Sequence, residues 1–221
     1  EPNTAQAIPA YFENPSLRLD FERFCSESNI EYQNIQRDAI KAYTDKPTTT
    51  NATGLATNSI DYYRAFQNLD VYAFDYYPNL REGMISSFPY AHARGVCNKD
   101  FWLLEFVSGG GHGLWGSGRL QPYPGALRQA AVHAFAAGAD LVAHFQFRTF
   151  PFGAEQLNYA IVDIDGIPRR RFYEMQAAAK DLRQLGLTLK NSYFENEVAV
   201  LFDYDSLWAL KIKPIAKDFD Y

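Results

Sequence analysis

The sequence predicts an α/β chain in which parallel strands alternate with helices. Three observations point there. Apolar runs of strand length recur at residues 70–78, 101–105 and 140–147. Apolar residues at helical spacing follow them, and the alternation repeats at roughly 30–40 residues, the βαβ rhythm that demands a mostly parallel sheet. The run Phe101-Trp102-Leu103-Leu104 is continuously apolar, as in a strand buried on both faces. With a short strand at 48–51 the three runs make four strands, about half of an eight-stranded barrel. A small, open, doubly wound sheet is the alternative, but no Gly-x-Gly-x-x-Gly fingerprint follows the first strand and there is no phosphate loop, so nucleotide binding lacks support.

The elements follow in order. Residues before Pro15, with Pro2 and Pro9, read as an irregular lead-in. Asn14 and Pro15 open a long helix in which Leu17, Phe21, Phe24, Ser28, Tyr32, Ile35 and Ala39 recur at helical spacing and are expected to form one buried stripe. Lys46-Pro47 stops it. Thr48 to Asn51 is a short β-branched strand, and residues 59–66 a short helix. The strand at 70–78 is closed by Pro78, and 82–97 is expected to be mostly helical. The next strand runs into Glu105, where the glycines from Gly109 onward mark its end. Pro124 starts a helix through Leu127, Ala131, Ala134 and Phe135, stopped by Gly138. After the strand at 140–147, a helix carries Phe172, Met175, Ala179, Leu182 and Leu185 to Gly186, and Arg169-Arg170-Arg171 reads as its solvated start. Residues 197–204 read as a last strand.

Bulk properties narrow the function. The chain has 221 residues, 47% of them hydrophobic, enough for one sizeable core. The net charge of −5 comes from interspersed charges, and nothing suggests a nucleic-acid surface or a polybasic membrane patch. No signal peptide and no bilayer-length apolar stretch is visible. The chain opens at Glu1 without a methionine and reads as processed, engineered or cut from something longer. Two distant cysteines, Cys25 and Cys97, fit a reducing compartment and cannot build a zinc site. The expected location is cytoplasmic, and no cofactor or metal is implied.

Chemistry concentrates at the strand mouths: Asn51, then Asp75-Tyr76-Tyr77, then Glu105, then Gln146 with Arg148. Convergence of such groups at consecutive strand ends is the layout of a barrel active site. Glu105 follows Phe101-Trp102-Leu103-Leu104, and burying it unpaired would cost several kcal/mol, so it is either paired for structure or placed for reaction. Asp75 and Arg148 read as groups that satisfy loop backbone. His112, among glycines, reads as solvated, His133 as a surface or satisfied helix residue, and His144 as barrel packing. Trp115 could be a hydrophobic lid or a sugar platform. No nucleophile–histidine–aspartate arrangement and no metal-ligand spacing appears.

Taken in order, these segments resemble the family 42 glycoside hydrolases, the β-galactosidases of the large clan of retaining glycosidases. The resemblance is carried by Asn14-Pro15 through Leu19-Asp20-Phe21 and Arg23-Phe24; Thr48 to Asn51; Asp70-Val71 through Asp75-Tyr76-Tyr77-Pro78; Phe101 to Glu105; Pro124-Gly125 through Arg128; Gly138-Ala139-Asp140; Phe145 to Arg148; Gly153 to Gln156; Asp163 to Gly166; and Val198 to Tyr204 with Ser206 and Trp208. It implies an α/β fold, the C-terminal half of a (β/α)8 TIM barrel over residues 1–190, about its fifth to eighth strands. Residues 191–221 would be a linker and the first strand of a truncated second domain of the trimer-forming type. It implies hydrolysis of terminal β-D-galactosides with retention, a β-galactoside or oligosaccharide as substrate, and a homo-oligomeric parent, a trimer.

The resemblance also implies roles. Glu105 is similar to the nucleophile at the seventh strand, and Tyr77 to the sixth-strand tyrosine beside it. Trp115 and Phe145 are similar to walls of the galactose subsite, and Glu155 to a carboxylate that binds sugar hydroxyls. Asn158 stands where the family usually has histidine, Phe147 where it usually has tryptophan, and the loop from Glu105 to Trp115 is longer than usual. These departures concern which sugar is bound rather than the reaction class. The family's general acid, the Glu of an Asn-Glu pair on the fourth strand, is expected upstream of Glu1. Asn196-Glu197 opens a strand in the wrong place and Glu31 is mid-helix, so neither takes that role. The 221-residue chain alone is therefore expected to be inactive. The alternatives are a catalytically inactive carbohydrate-binding or scaffold protein, or another retaining clan glycosidase such as an arabinosidase.

Overall fold

The computed structural model describes residues 14–55, 57–81, 85–112, 118–158, 160–189 and 192–215. In chain order the elements are α1 (Pro15–Lys41), β1 (Asn51–Ala52), α2 (Tyr62–Ala65), β2 (Ala73–Tyr76), α3 (Phe88–Cys97), β3 (Phe101–Val107), β4 (Gly111–His112), β5 (Gly118–Arg119), α4 (Ala126–Ala136), β6 (Ala139–Phe145), α5 (Arg170–Thr188) and α6 (Tyr204–Ile212). They form two compact units: residues 49–55 with 71–195, and residues 1–48 with 56–70 and 196–221.

The first unit holds a four-stranded sheet in the order β1-β2-β3-β6, every pairing parallel. Parallel neighbours need crossovers, and α3 and α4 supply them on β2–β3 and β3–β6. This is the α/β alternation expected of part of a (β/α)8 barrel. One set of strand side chains is sealed: Phe74, Phe101, Leu103 and Phe106 are all fully buried. Tyr90 of α3 stacks flat on Phe101 at 5.7 Å between ring centroids. The α4 residues Leu127, Ala130, Ala131 and Ala134 are buried along one helical stripe. Because Gly125 caps α4 without a side chain, Glu174 of α5 takes that part. Its Oε1 accepts from the N–H groups of Leu127 and Arg128, at 2.8 and 3.2 Å.

In the second unit, Tyr204 and Trp208 of α6 are buried, and Tyr204 packs edge-on against Tyr62 at 6.0 Å. The Trp208 indole donates to Asn58 O at 2.6 Å. Arg23 of α1 grips both carboxylate oxygens of Asp205, a bidentate geometry that fixes direction as well as charge. Ser26 accepts from the Asp61 N–H, and Gln33 donates to Ala65 O.

Several expectations are corrected. The α1 stripe is not buried: Leu17, Phe24, Tyr32 and Ile35 are all more than half exposed, and Ser26 is the helix's one buried residue. Within its unit the helix is held through Arg23, Ser26 and Gln33, a polar face, so periodicity alone misjudged which face is used. Residues 197–204 form no strand. Val198, Val200 and Leu201 are exposed and pair with no strand among the described residues, and Asp203 instead caps α6 by accepting from Ser206 N at 2.8 Å. Gly186 does not stop α5, which runs on to Thr188. Helix α3 begins at Phe88 rather than near residue 82, and residues 82–84 lie outside the described ones. Arg171 is not solvated, because it pairs with Asp163 and is largely covered. No helix among the described residues is long and apolar enough to cross a membrane.

His92, on the buried side of α3, has its imidazole pushed down to about 4 by burial. Its folded value lies below the unfolded one near 6.5, so the unfolded chain binds the extra proton between those limits. Stability should therefore be fully present above about pH 6.5 and fall as the pH drops toward 4. Urea unfolding midpoints across that range should decline less steeply for His92→Phe than for the wild type; equal slopes would refute the assignment.

Candidate active site

The site is built on β2, β3 and β6. Glu105 lies inside β3, two residues before its end at Val107, not in the loop beyond it. The pairing register explains the difference: Val107 still pairs with Phe145, so the ladder continues past the carboxylate. A register shift between Phe74 and Asp75 on β2 aligns Asp75 with Glu105, the local irregularity by which strands re-aim side chains.

Glu105 is half-buried and paired. The Tyr77 hydroxyl donates to its Oε2 at 2.6 Å, short enough for a charge-assisted bond. Phe145, at the end of β6, sets its ring edge-on to Tyr77, with centroids 6.5 Å apart. Ser108 donates to Phe145 O, pinning that strand end to the residue after β3.

Asp75 does not satisfy loop backbone as expected. Its Oδ2 accepts from the Asn51 amide at 2.9 Å, and its Oδ1 is buried with no hydrogen-bond partner among the described residues. Burial, assisted by the charge on Glu105 and opposed by the Asn51 bond, pushes its carboxyl up to about 6. The signal was present in the sequence: Asp75 lies two positions before Tyr77, so an extended chain turns both to one face. Arg148 does behave as expected, its Nε and Nη2 donating to Ile164 O at 3.2 and 2.7 Å.

Asn158 is 4% exposed, and its Oδ1 has no partner among the described residues. Two contacts tie it to the end of β6 and to the glycines after β3. Gln146 donates to its carbonyl at 3.4 Å, and Gly111 approaches so closely that a Cβ there would stand 3.2 Å from its Oδ1. Glu155 is half-buried in the same loop and joins Asn158 through the backbone, its carbonyl accepting from Asn158 N at 3.3 Å. Trp115 lies outside the described residues, as does the side chain of His112. The structure thus brings Glu105, Tyr77, Phe145 and Asp75 together and places Asn158 beside the glycines that follow Glu105.

One supporting network escaped the sequence reading. Gln121 Oε1 accepts from Gly110 N at 3.2 Å and from Arg171 Nη1 at 2.7 Å, while Arg171 also holds Asp163. It fixes the glycine loop just past the carboxylate. Gln121 and Arg171 are 50 positions apart, so no local pattern announces them.

Among the described residues no group of three or more His, Cys, Asp or Glu is placed to hold a metal. The arrangement offers one accessible carboxylate oriented by a phenol at the C-terminal end of parallel strands, where such folds carry their chemistry.

A family model described as beta-galactosidase, glycoside hydrolase family 42, matches residues 1–185. The chain belongs to that family. Beta-galactosidase BgaA of Clostridium cellulovorans is 33% identical over 216 residues, covering 95% of this chain and 33% of that protein. The polyextremophilic beta-galactosidase from the Antarctic haloarchaeon Halorubrum lacusprofundi superposes with a TM-score of 0.83 at 32% identity, covering 95% of this chain and 33% of that one. Beta-galactosidase from the psychrophilic Marinomonas ef1 superposes at 0.84 with 26% identity, over 95% of this chain and 36% of its own. The family 42 chain described here spans about one third of the length of the curated relatives it matches.

Proposed function

We propose that residues 1–221 supply the nucleophile side of the active site of a β-galactosidase that hydrolyses terminal β-D-galactosides with retention. The observation that carries this reading is the 2.6 Å bond from Tyr77 to Glu105 at the mouth of a parallel sheet, in a chain of this family. Retaining hydrolysis needs two carboxyl groups about 5–5.5 Å apart. Glu105 attacks the anomeric carbon while the second, as acid, protonates the departing oxygen. Water then breaks the glycosyl ester with that second group acting as base. In this reading the acid comes from outside residues 1–221. Asp75 is not that acid: one oxygen is bound to Asn51 and the other is buried, so neither reaches a leaving group.

Tyr77 holds one oxygen of Glu105 and leaves the other free to attack. Phe145 forms an apolar wall beside Tyr77. Glu155 would bind sugar hydroxyls, and Asn158, whose Oδ1 is buried, would offer its amide N–H, a neutral donor with no titration near neutrality in place of the family's imidazole. Incubating the intact protein with a 2-fluoro galactosyl fluoride tests the reading. The adduct should map by peptide mass spectrometry to Glu105; an adduct on any other carboxylate would overturn it.

A further inference from the structure

Asp75 remains unexplained by that mechanism. It sits on the strand next to Glu105 and in register with it. The groups facing it are the neutral Asn51 amide from β1 and Glu105 from β3, whose carboxylate is bonded by the Tyr77 phenol just past the end of β2; no lysine, arginine or histidine bonds to Asp75 among the described residues. An ionised carboxylate there would leave a buried oxygen unpaired and set a second negative charge beside the first, both unfavourable. Since Asn51 donates to Oδ2, the proton belongs on Oδ1.

We propose that Asp75 is a positioning residue for Glu105, holding the proton on Oδ1 so that Glu105 leaves the glycosyl ester without a second negative charge beside it. This rests on the reading of Glu105 as nucleophile. In the second half-reaction the bond from the anomeric carbon to Glu105 breaks and its electron pair returns to the Glu105 carboxylate. The water oxygen bonds to that carbon, and the water's proton goes to the acid–base carboxyl. A neutral Asp75 favours the charge that reappears on Glu105, and an ionised Asp75 opposes it. Burial raises the Asp75 carboxyl to about 6 with Glu105 ionised beside it; in the ester that charge is gone, so the change in decay rate lies below pH 6.

The test uses the intact protein carrying this chain, labelled with the 2-fluoro galactosyl fluoride, and follows decay of the adduct against pH for wild type and Asp75→Asn. The asparagine keeps the shape and the Asn51 contact but cannot ionise. The ratio of variant to wild-type decay rate should rise several-fold between about pH 4 and 7. A ratio that stays flat would make Asp75 structural and overturn the proposal, as would an Asp75→Asn protein that folds but is not labelled. Should the variant not fold, carbon-13 titration of the wild-type Asp75 carboxyl decides: a midpoint near 6 supports the proposal and one near 4 overturns it. Failure of wild-type Glu105 to be labelled would instead sink the nucleophile reading, so the two remain distinguishable.

Discussion

Replacing Glu105 by glutamine in the intact protein is expected to cut turnover of an aryl β-galactoside about 10⁴-fold or more, the scale on which removal of a nucleophile acts. The loss should be chemical rather than structural. Glutamine matches the shape of glutamate and its carbonyl can still accept from the Tyr77 hydroxyl, the one hydrogen bond to the Glu105 side chain among the described residues. Its unfolding midpoint should stay within a few degrees of the wild type. Glu105→Gly adds a second diagnostic. With the carboxylate gone, azide can enter from the side Glu105 occupied, and an activated substrate should yield the α-configured galactosyl azide. Retained turnover in Glu105→Gln, or no azide product from Glu105→Gly, would remove this residue from the mechanism.

Much of this site was legible in the chain because parallel strands write themselves plainly. Phe101 to Phe106 is apolar but for Glu105, and a carboxylate in so apolar a strand must be explained. Tyr77 stood out as a strand-mouth residue, but its place beside Glu105, like the role of Phe145, was reached only through the family resemblance; in the structure one bonds Glu105 and the other packs against the first. What failed had a shared physical origin. The apolar spacing of α1 records a face capable of burial, while the contacts within its unit fall on Arg23, Ser26 and Gln33. The alternation at Val198 and Val200 records a capacity for strand pairing that no strand among the described residues meets. Strand length depends on the partner's register, so Glu105 was placed at the end of β3 when Val107 still pairs with Phe145. Pattern reports what a segment could do; partners decide what it does.

Backbone also constrains the site, and among the described glycines Gly111 has the least room for a Cβ. A Cβ on Gly111 would lie 2.5 Å from Leu157 O and 2.9 Å from Asn158 Cα. Neither atom can swing aside as a side-chain tip would, so Gly111→Ala must displace residues 157 and 158 and carry the buried Asn158 away from the glycine loop. A loss of about 3 kcal/mol in stability is expected, the upper end of overpacking. In the intact protein KM for a β-galactoside should rise with it, if Asn158 binds sugar hydroxyls. Gly186 is the control. It lies inside α5, where an added Cβ meets only the Phe135 ring at 4.0 Å, so Gly186→Ala should stabilise by about 0.5–1 kcal/mol through helix propensity. Chemical unfolding of both variants checks the pair. Opposite signs follow if close backbone approach, rather than chain flexibility, is what the loop glycine supplies. A Gly111→Ala protein as stable as the wild type would mean that the 157–158 segment yields freely, and Asn158 could not then be a fixed wall of the subsite.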